Sequence, residues 1–104
     1  MNKDVKKLWL KALRSEQYVQ GTGQLVTISK DKKRNDRFCC LGVLCQLAIE
    51  KDIINDYNPE HDFPPAKVAL WAGLERKIEE TLAGLNDDEG FTFKQIARYI
   101  EKAL

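Results

Sequence analysis

One stretch restricts the possible folds more than any other: Arg37-Phe38-Cys39-Cys40-Leu41-Gly42-Val43-Leu44-Cys45-Gln46-Leu47-Ala48-Ile49-Glu50. Between its charged ends it carries no charge, and it holds all three cysteines of the chain. Leu41, Leu44, Cys45, Ala48 and Ile49 recur at i, i+3, i+4, i+7 and i+8, which is one apolar face of a helix. The residues between them are apolar too. The pattern therefore predicts a helix over roughly 40–50, buried on most sides, against which the remaining segments pack. With 104 residues, a single domain spanning 1–104 is expected, with a core that needs neither disulfide nor metal.

The flanking segments read as smaller pieces around that helix. Val5, Leu8, Trp9, Ala12 and Leu13 repeat the same spacing and predict a first helix over about 3–15, with Lys3, Lys6, Lys7, Lys11 and Arg14 on its outer face. Gly21 and Gly23 break it with a turn that needs a positive φ. Residues 24–29 have the β-branched content of a strand, and 37–39 return as its short partner, giving a small β-hairpin. Lys30 to Asp36 is the polar loop between them. Pro64-Pro65 opens a third helix over 65–72, which Gly73 caps. Residues 74–83 fit either a short strand or a helical turn, with Leu82 and Leu85 inserted in the core. Asn86 to Gly90 reads as a polar turn. Thr92 with Gln95 forms a capping box, and Phe91 with Ile96 a hydrophobic staple. These start a last helix with Phe93, Ile96, Ala97, Ile100 and Leu104 inside. Trp9 and Trp71 both sit on apolar stripes, so core packing is their default role. The expected class is α+β, mostly α: about four helices around the central one, with a small hairpin.

Charge separates along the chain although the net value is only +1. Residues 1–49 carry ten Lys/Arg against four Asp/Glu, or +6, and residues 50–104 carry seven against twelve, or −5. Such a molecule can meet a polyanion with one face, self-associate head to tail, or fold with its halves together. No apolar run approaches the ~18 residues of a membrane span. The first residues also lack a signal-peptide block, so a cytoplasmic location with reduced thiols is expected.

The residues limit the chemistries open to the chain. Cys39 and Cys40 near a helix N-terminus have the setting of a cysteine nucleophile, with His61, the single histidine, as its base. The alternative is that the cysteines are small core hydrophobes. Cys39, Cys40, Cys45 and His61 lack zinc spacing, since neighbouring helical residues point about 100° apart. Asn86-Asp87-Asp88 begins like a calcium loop, but its twelfth position is Ala97 where a glutamate is needed. Gly21-x-Gly23 lacks the rest of a dinucleotide fingerprint. No metal and no cofactor are expected.

A set of motifs spans nearly the whole chain: Trp9-x-x-Ala12-Leu13-Arg14-Ser15, Tyr18-x-Gln20-Gly21, Cys39-Cys40-Leu41-Gly42-Val43-Leu44-Cys45, Trp71-Ala72-Gly73-Leu74, Leu85-Asn86-Asp87 and Phe93-x-x-Ile96-Ala97-x-x-Ile100-Glu101. In order and spacing they resemble a family of small, uncharacterised bacteriophage and prophage proteins. Members commonly carry an acidic residue just after the third cysteine, where this chain has Gln46. The resemblance implies a phage origin and a location in the host cytoplasm.

Function is expected to be binding: interference with a host defence protein, or sequestration of a small phosphate-bearing, nucleotide-type signal. The residues expected to carry it are Arg14, Tyr18, Gln20, Lys33, Arg34, Arg37, Asn86 and Asp87. Arginine supplies forked contacts to phosphate or carboxylate. One alternative is a cysteine enzyme using Cys39 or Cys40 with His61. Another is a nucleic-acid-binding accessory protein using the first helix and the 30–37 loop. No membrane partner is expected, and a homo-oligomer is allowed.

Overall fold

The stretch from Cys40 to Glu50 forms the central helix, and its start explains why it begins there. Cys39 is extended (φ −78°, ψ 170°), and its thiol Sγ accepts the Gly42 N–H at 3.3 Å, so a cysteine stands in the capping position. Every residue from Cys40 to Cys45 is buried, and so are Leu47 and Ala48. Leu41, Val43 and Leu44 are fully out of water, each worth about 1.5–3 kcal/mol in transfer terms. The helix stops without glycine. Asp52 takes the left-handed conformation (φ 59°), and the Ile53 N–H returns to the Ala48 carbonyl at 2.9 Å. That is the Schellman closure.

A computed structural model describes residues 1–31 and 33–104 of the chain. Its elements are α1 (Lys3–Arg14), β1 (Val19–Gln20), β2 (Val26–Thr27), β3 (Arg37–Phe38), α2 (Cys40–Glu50), α3 (Ala66–Ala72), α4 (Arg76–Asp87) and α5 (Phe93–Ala103). Among the described residues there are thus five helices and one three-stranded sheet, the mostly helical α+β class expected. Among the described residues no helix is long and apolar enough to cross a membrane.

The expected hairpin is present, with β2 antiparallel to β3 in the register Val26↔Phe38 and Thr27↔Arg37. It is shorter than the 24–29 alternation suggested and has a third member. β1 pairs parallel with β3, which gives the order β1-β3-β2. The Tyr18–Gly23 segment is therefore both strand and turn, and Gly23 carries the positive φ (88°). Of residues 74–83, those from Arg76 on are helix, and α4 continues through Asn86 and Asp87, which the sequence placed in a turn.

Close backbone approaches fix the sheet to α2. The Leu25 carbonyl accepts the Cys39 N–H at 3.0 Å. A Cβ on Gly42 would stand 2.0 Å from that same carbonyl oxygen, so only glycine fits. Trp9 is fully buried, and its indole N–H donates to the Cys40 carbonyl at 3.0 Å, tying α1 to α2. Trp71 is only half-buried and lines a groove of about 390 Å³ with Val5, Leu8 and Ile53. The capping box on α5 forms as the sequence indicated, with Thr92 and Gln95 exchanging bonds at 2.8 and 3.2 Å.

Candidate functional site

The thiols come first because the sequence set them beside a helix N-terminus. Burial pushes Cys39 up to about 11, outweighing the Gly42 and Leu41 amides that favour its thiolate. Burial likewise pushes Cys45 up to about 12 and Cys40 well above the ordinary thiol range. The Cys40 Sγ lies 3.7 Å from the Leu82 carbonyl, in donor position. In an apolar setting desolvation of the charged form dominates over the helix end. All three thiols are protonated at neutral pH. His61 is exposed and lines a different groove, of about 540 Å³, with Asp62, Phe63 and Arg76, and no cysteine lines it. Among the described residues no group of three or more His, Cys, Asp and Glu side chains could hold a metal ion.

The polar candidates fall into three places. Gln20, Asn86 and Asp87 form a network that joins four elements. The Gln20 amide donates to Asn86 Oδ1 (2.9 Å) and to the Phe91 carbonyl (2.7 Å), and its Oε1 accepts the Phe93 N–H (3.1 Å). Asn86 Nδ2 donates to the Gly21 carbonyl (2.9 Å) and to Asp87 Oδ1 (2.7 Å). Asn86 Oδ1 also accepts the Cys40 N–H (3.2 Å), one of the orphan donors at the start of α2. These groups satisfy each other and the backbone.

Arg14 stands on the α1–α5 seam, paired with Glu101 at 3.2 Å. Tyr18 packs edge-on to Phe38 (5.1 Å between rings). Its hydroxyl pKa is raised by burial and then by the nearby Glu50 carboxylate.

The third place is a small cleft at the β2–β3 edge, about 190 Å³, lined by Thr27, Ser29, Arg34, Asn35 and Arg37. Local geometry holds it open. Asp36 Oδ1 accepts the Ser29 N–H at 2.9 Å, and Asp31 Oδ1 accepts the Lys33 N–H at 3.0 Å. Lys33 is exposed beside this loop but does not line the cleft. Arg34 reaches an anion only at 4.0 Å (Asp31), with both side chains largely in solvent. Two guanidiniums, the Thr27 hydroxyl and the Asn35 amide therefore line one open hollow, while the Ser29 hydroxyl beside them donates to the Asp31 carbonyl at 3.0 Å. Such a donor set suits a phosphate or carboxylate group.

A family-level comparison matches the whole chain, residues 1–104, to a single family described as domain of unknown function DUF8296. The chain belongs to that family. No curated protein and no solved structure matches it.

Two features of this DUF8296 domain had little signal in the sequence. Glu79 lies on the inner face of α4 and is only 2 % exposed. Its Oε2 meets Arg76 at 3.2 Å, while its Oε1 has no partner among the described residues. Arg76 in turn stacks over Phe63, 4.2 Å above the ring. The other is a groove of about 450 Å³ on the outer side of α5, lined by Phe91, Gln95, Arg98, Tyr99, Lys102 and Ala103. The spacing of Gln95, Arg98, Tyr99 and Lys102 puts them on one helix face.

Proposed function

We propose that this chain is a phage-encoded accessory protein that acts by binding, and that the Arg34–Arg37 cleft receives the phosphate group of a small nucleotide-type ligand or of a host partner. The observation that carries the reading is the convergence of Arg34, Arg37, Thr27, Ser29 and Asn35 on one hollow of about 190 Å³. That volume suits a single phosphate-sized group, with the rest of the ligand outside. Three buried, protonated thiols favour binding over thiol chemistry, which requires the thiolate. The resemblance to phage and prophage proteins favours a target in the host cytoplasm.

The structure-guided variant is Arg34→Gln/Arg37→Gln. Arg14 drops out of the set because its guanidinium is engaged by Glu101. Titration calorimetry with inorganic pyrophosphate and with a nucleoside triphosphate is expected to give binding for the native chain. The double variant is expected to lose at least about tenfold in affinity, consistent with the loss of charge-assisted bonds. His61→Ala should bind as the native chain does. Unchanged affinity in the arginine variant would remove the cleft from consideration.

A further inference from the structure

The fold regroups the charge of the chain. α1 and α5 pack against each other along a shared seam. Together, residues 3–14 and 93–103 carry eight Lys/Arg against two Asp/Glu, a net +6. The rest of the chain carries nine against fourteen, a net −5. α5 comes from the acidic half of the sequence, yet it joins the basic layer.

Of the anions on or beside this layer, Glu101 and Glu16 are engaged, and Asp4 stands in the first turn of α1. Glu101 accepts from Arg14 at 3.3 Å and lies near Lys6 and Arg98. Glu16, just beyond α1, holds Lys94 at 3.1 Å. Lys3, Lys7, Lys11, Arg98 and Lys102 form no ion pair among the described residues. Arg98 and Lys102 sit one turn apart, about 6 Å along the axis at the helical rise. Between them opens the groove of about 450 Å³, where Phe91 and Tyr99 are half-buried and Gln95 offers an amide.

We propose that the α5 groove, with the flanking basic face of α1, binds single-stranded nucleic acid. Unpaired bases stack on Tyr99 and Phe91, the Gln95 amide nitrogen, whose oxygen accepts the Thr92 N–H, donates to a base edge, and Arg98 and Lys102 take backbone phosphates. Stacking platforms set beside a cationic track are how single strands are held without a fixed sequence. An acidic peptide would satisfy the cations but has no planar faces for both rings. This surface is separate from the Arg34–Arg37 cleft, since no residue lines both. It supplies the aromatic groups that the 30–37 loop lacks.

The test is fluorescence anisotropy of a labelled twelve-nucleotide oligothymidylate, repeated with the same sequence as a duplex and with polyglutamate as competitor. The native chain is expected to bind the single strand at 50 mM salt and to prefer it over the duplex. Tyr99→Ala should weaken binding by about 5- to 100-fold, the range for losing one stacked base, while Tyr99→Phe restores it. Arg98→Gln/Lys102→Gln alters only exposed groups and keeps the fold. It should flatten the logarithmic salt slope by about 1.4, two contacts at the single-strand value. Arg34→Gln/Arg37→Gln should bind the strand as the native chain does, so failure here is distinct from failure of the cleft. Several results would overturn the proposal. They are absence of binding at 50 mM salt, equal or better binding of the duplex, and equal competition by polyglutamate. Native-like affinity and slope in Arg98→Gln/Lys102→Gln would do so as well.

Discussion

Glu79 shows how one residue can set a measurable property of the whole fold. Its carboxyl is buried, with Arg76 on one oxygen and, among the described residues, nothing on the other. Burial raises its pKa above the ordinary 4.5, and the Arg76 charge only partly offsets this. A carboxyl with a raised folded-state pKa stabilises fully below its unfolded value, and that contribution is lost as pH rises through the folded value. Glu79→Gln, which cannot ionise, is therefore expected to gain on the native protein as pH goes from about 4 to 7, the interval above the unfolded carboxyl value. Urea denaturation of both proteins at each end of the interval measures this. Parallel pH curves would mean the carboxylate is not desolvated. The three thiols make a companion case. Cys45 is fully buried, and Cys45→Ser is expected to cost about 1–3 kcal/mol, the range for burying a poorly partnered hydroxyl. Thermal stability equal to the native chain would place Cys45 outside the core.

Among the elements, α4 depends most on one polar side chain. Asn86 satisfies the Cys40 N–H, the Gln20 amide and the Gly21 carbonyl together. Asn86→Ala leaves those groups unpaired and is expected to cost about 3 kcal/mol, as losses from buried networks do. Thr92→Ala removes only a cap and should cost about 1 kcal/mol. Chemical denaturation that ranked the two the other way round would refute the network's role. The same asparagine explains what the sequence hid. α2, α3 and α5 were legible because their inward faces are apolar, and α3 and α5 also because their ends carry proline and glycine or a capping box. The inward face of α4 includes Glu79 and Asn86, so its apolar periodicity is broken, and Gly84 lowers the helical signal further. β1 was hidden for a different reason: two residues pair only because β3 lies beside them, and pairing across distant segments leaves no local pattern. Of the polar candidates, Arg34 and Arg37 do meet in one cleft. Gln20 and Asn86 hydrogen-bond backbone groups and Asp87 bonds Asn86, and nothing in a lone sequence distinguishes a polar group that binds a ligand from one that caps a helix.

At the scale of the molecule, charge gives a test in which chain order and fold predict opposite signs. A dipolar body attracts its own copies head to tail when ionic strength is low, and the attraction fades once the screening length falls to about 10 Å near 0.1 M salt. By chain halves, Arg98 and Lys102 belong to the acidic segment, so making both glutamate would deepen the separation and strengthen association. By folded layers they belong with α1 on the +6 surface, and the same change lowers that layer to +2. The fold-based partition is the physical one, because interaction energy depends on distance in space rather than along the chain. Sedimentation velocity at about 10 mM ionic strength, where screening reaches about 30 Å, is expected to show weak, reversible association of the native chain. Arg98→Glu/Lys102→Glu should reduce it, and 150 mM salt should abolish it in both. Stronger association in the variant would mean that α5 does not share a charged face with α1.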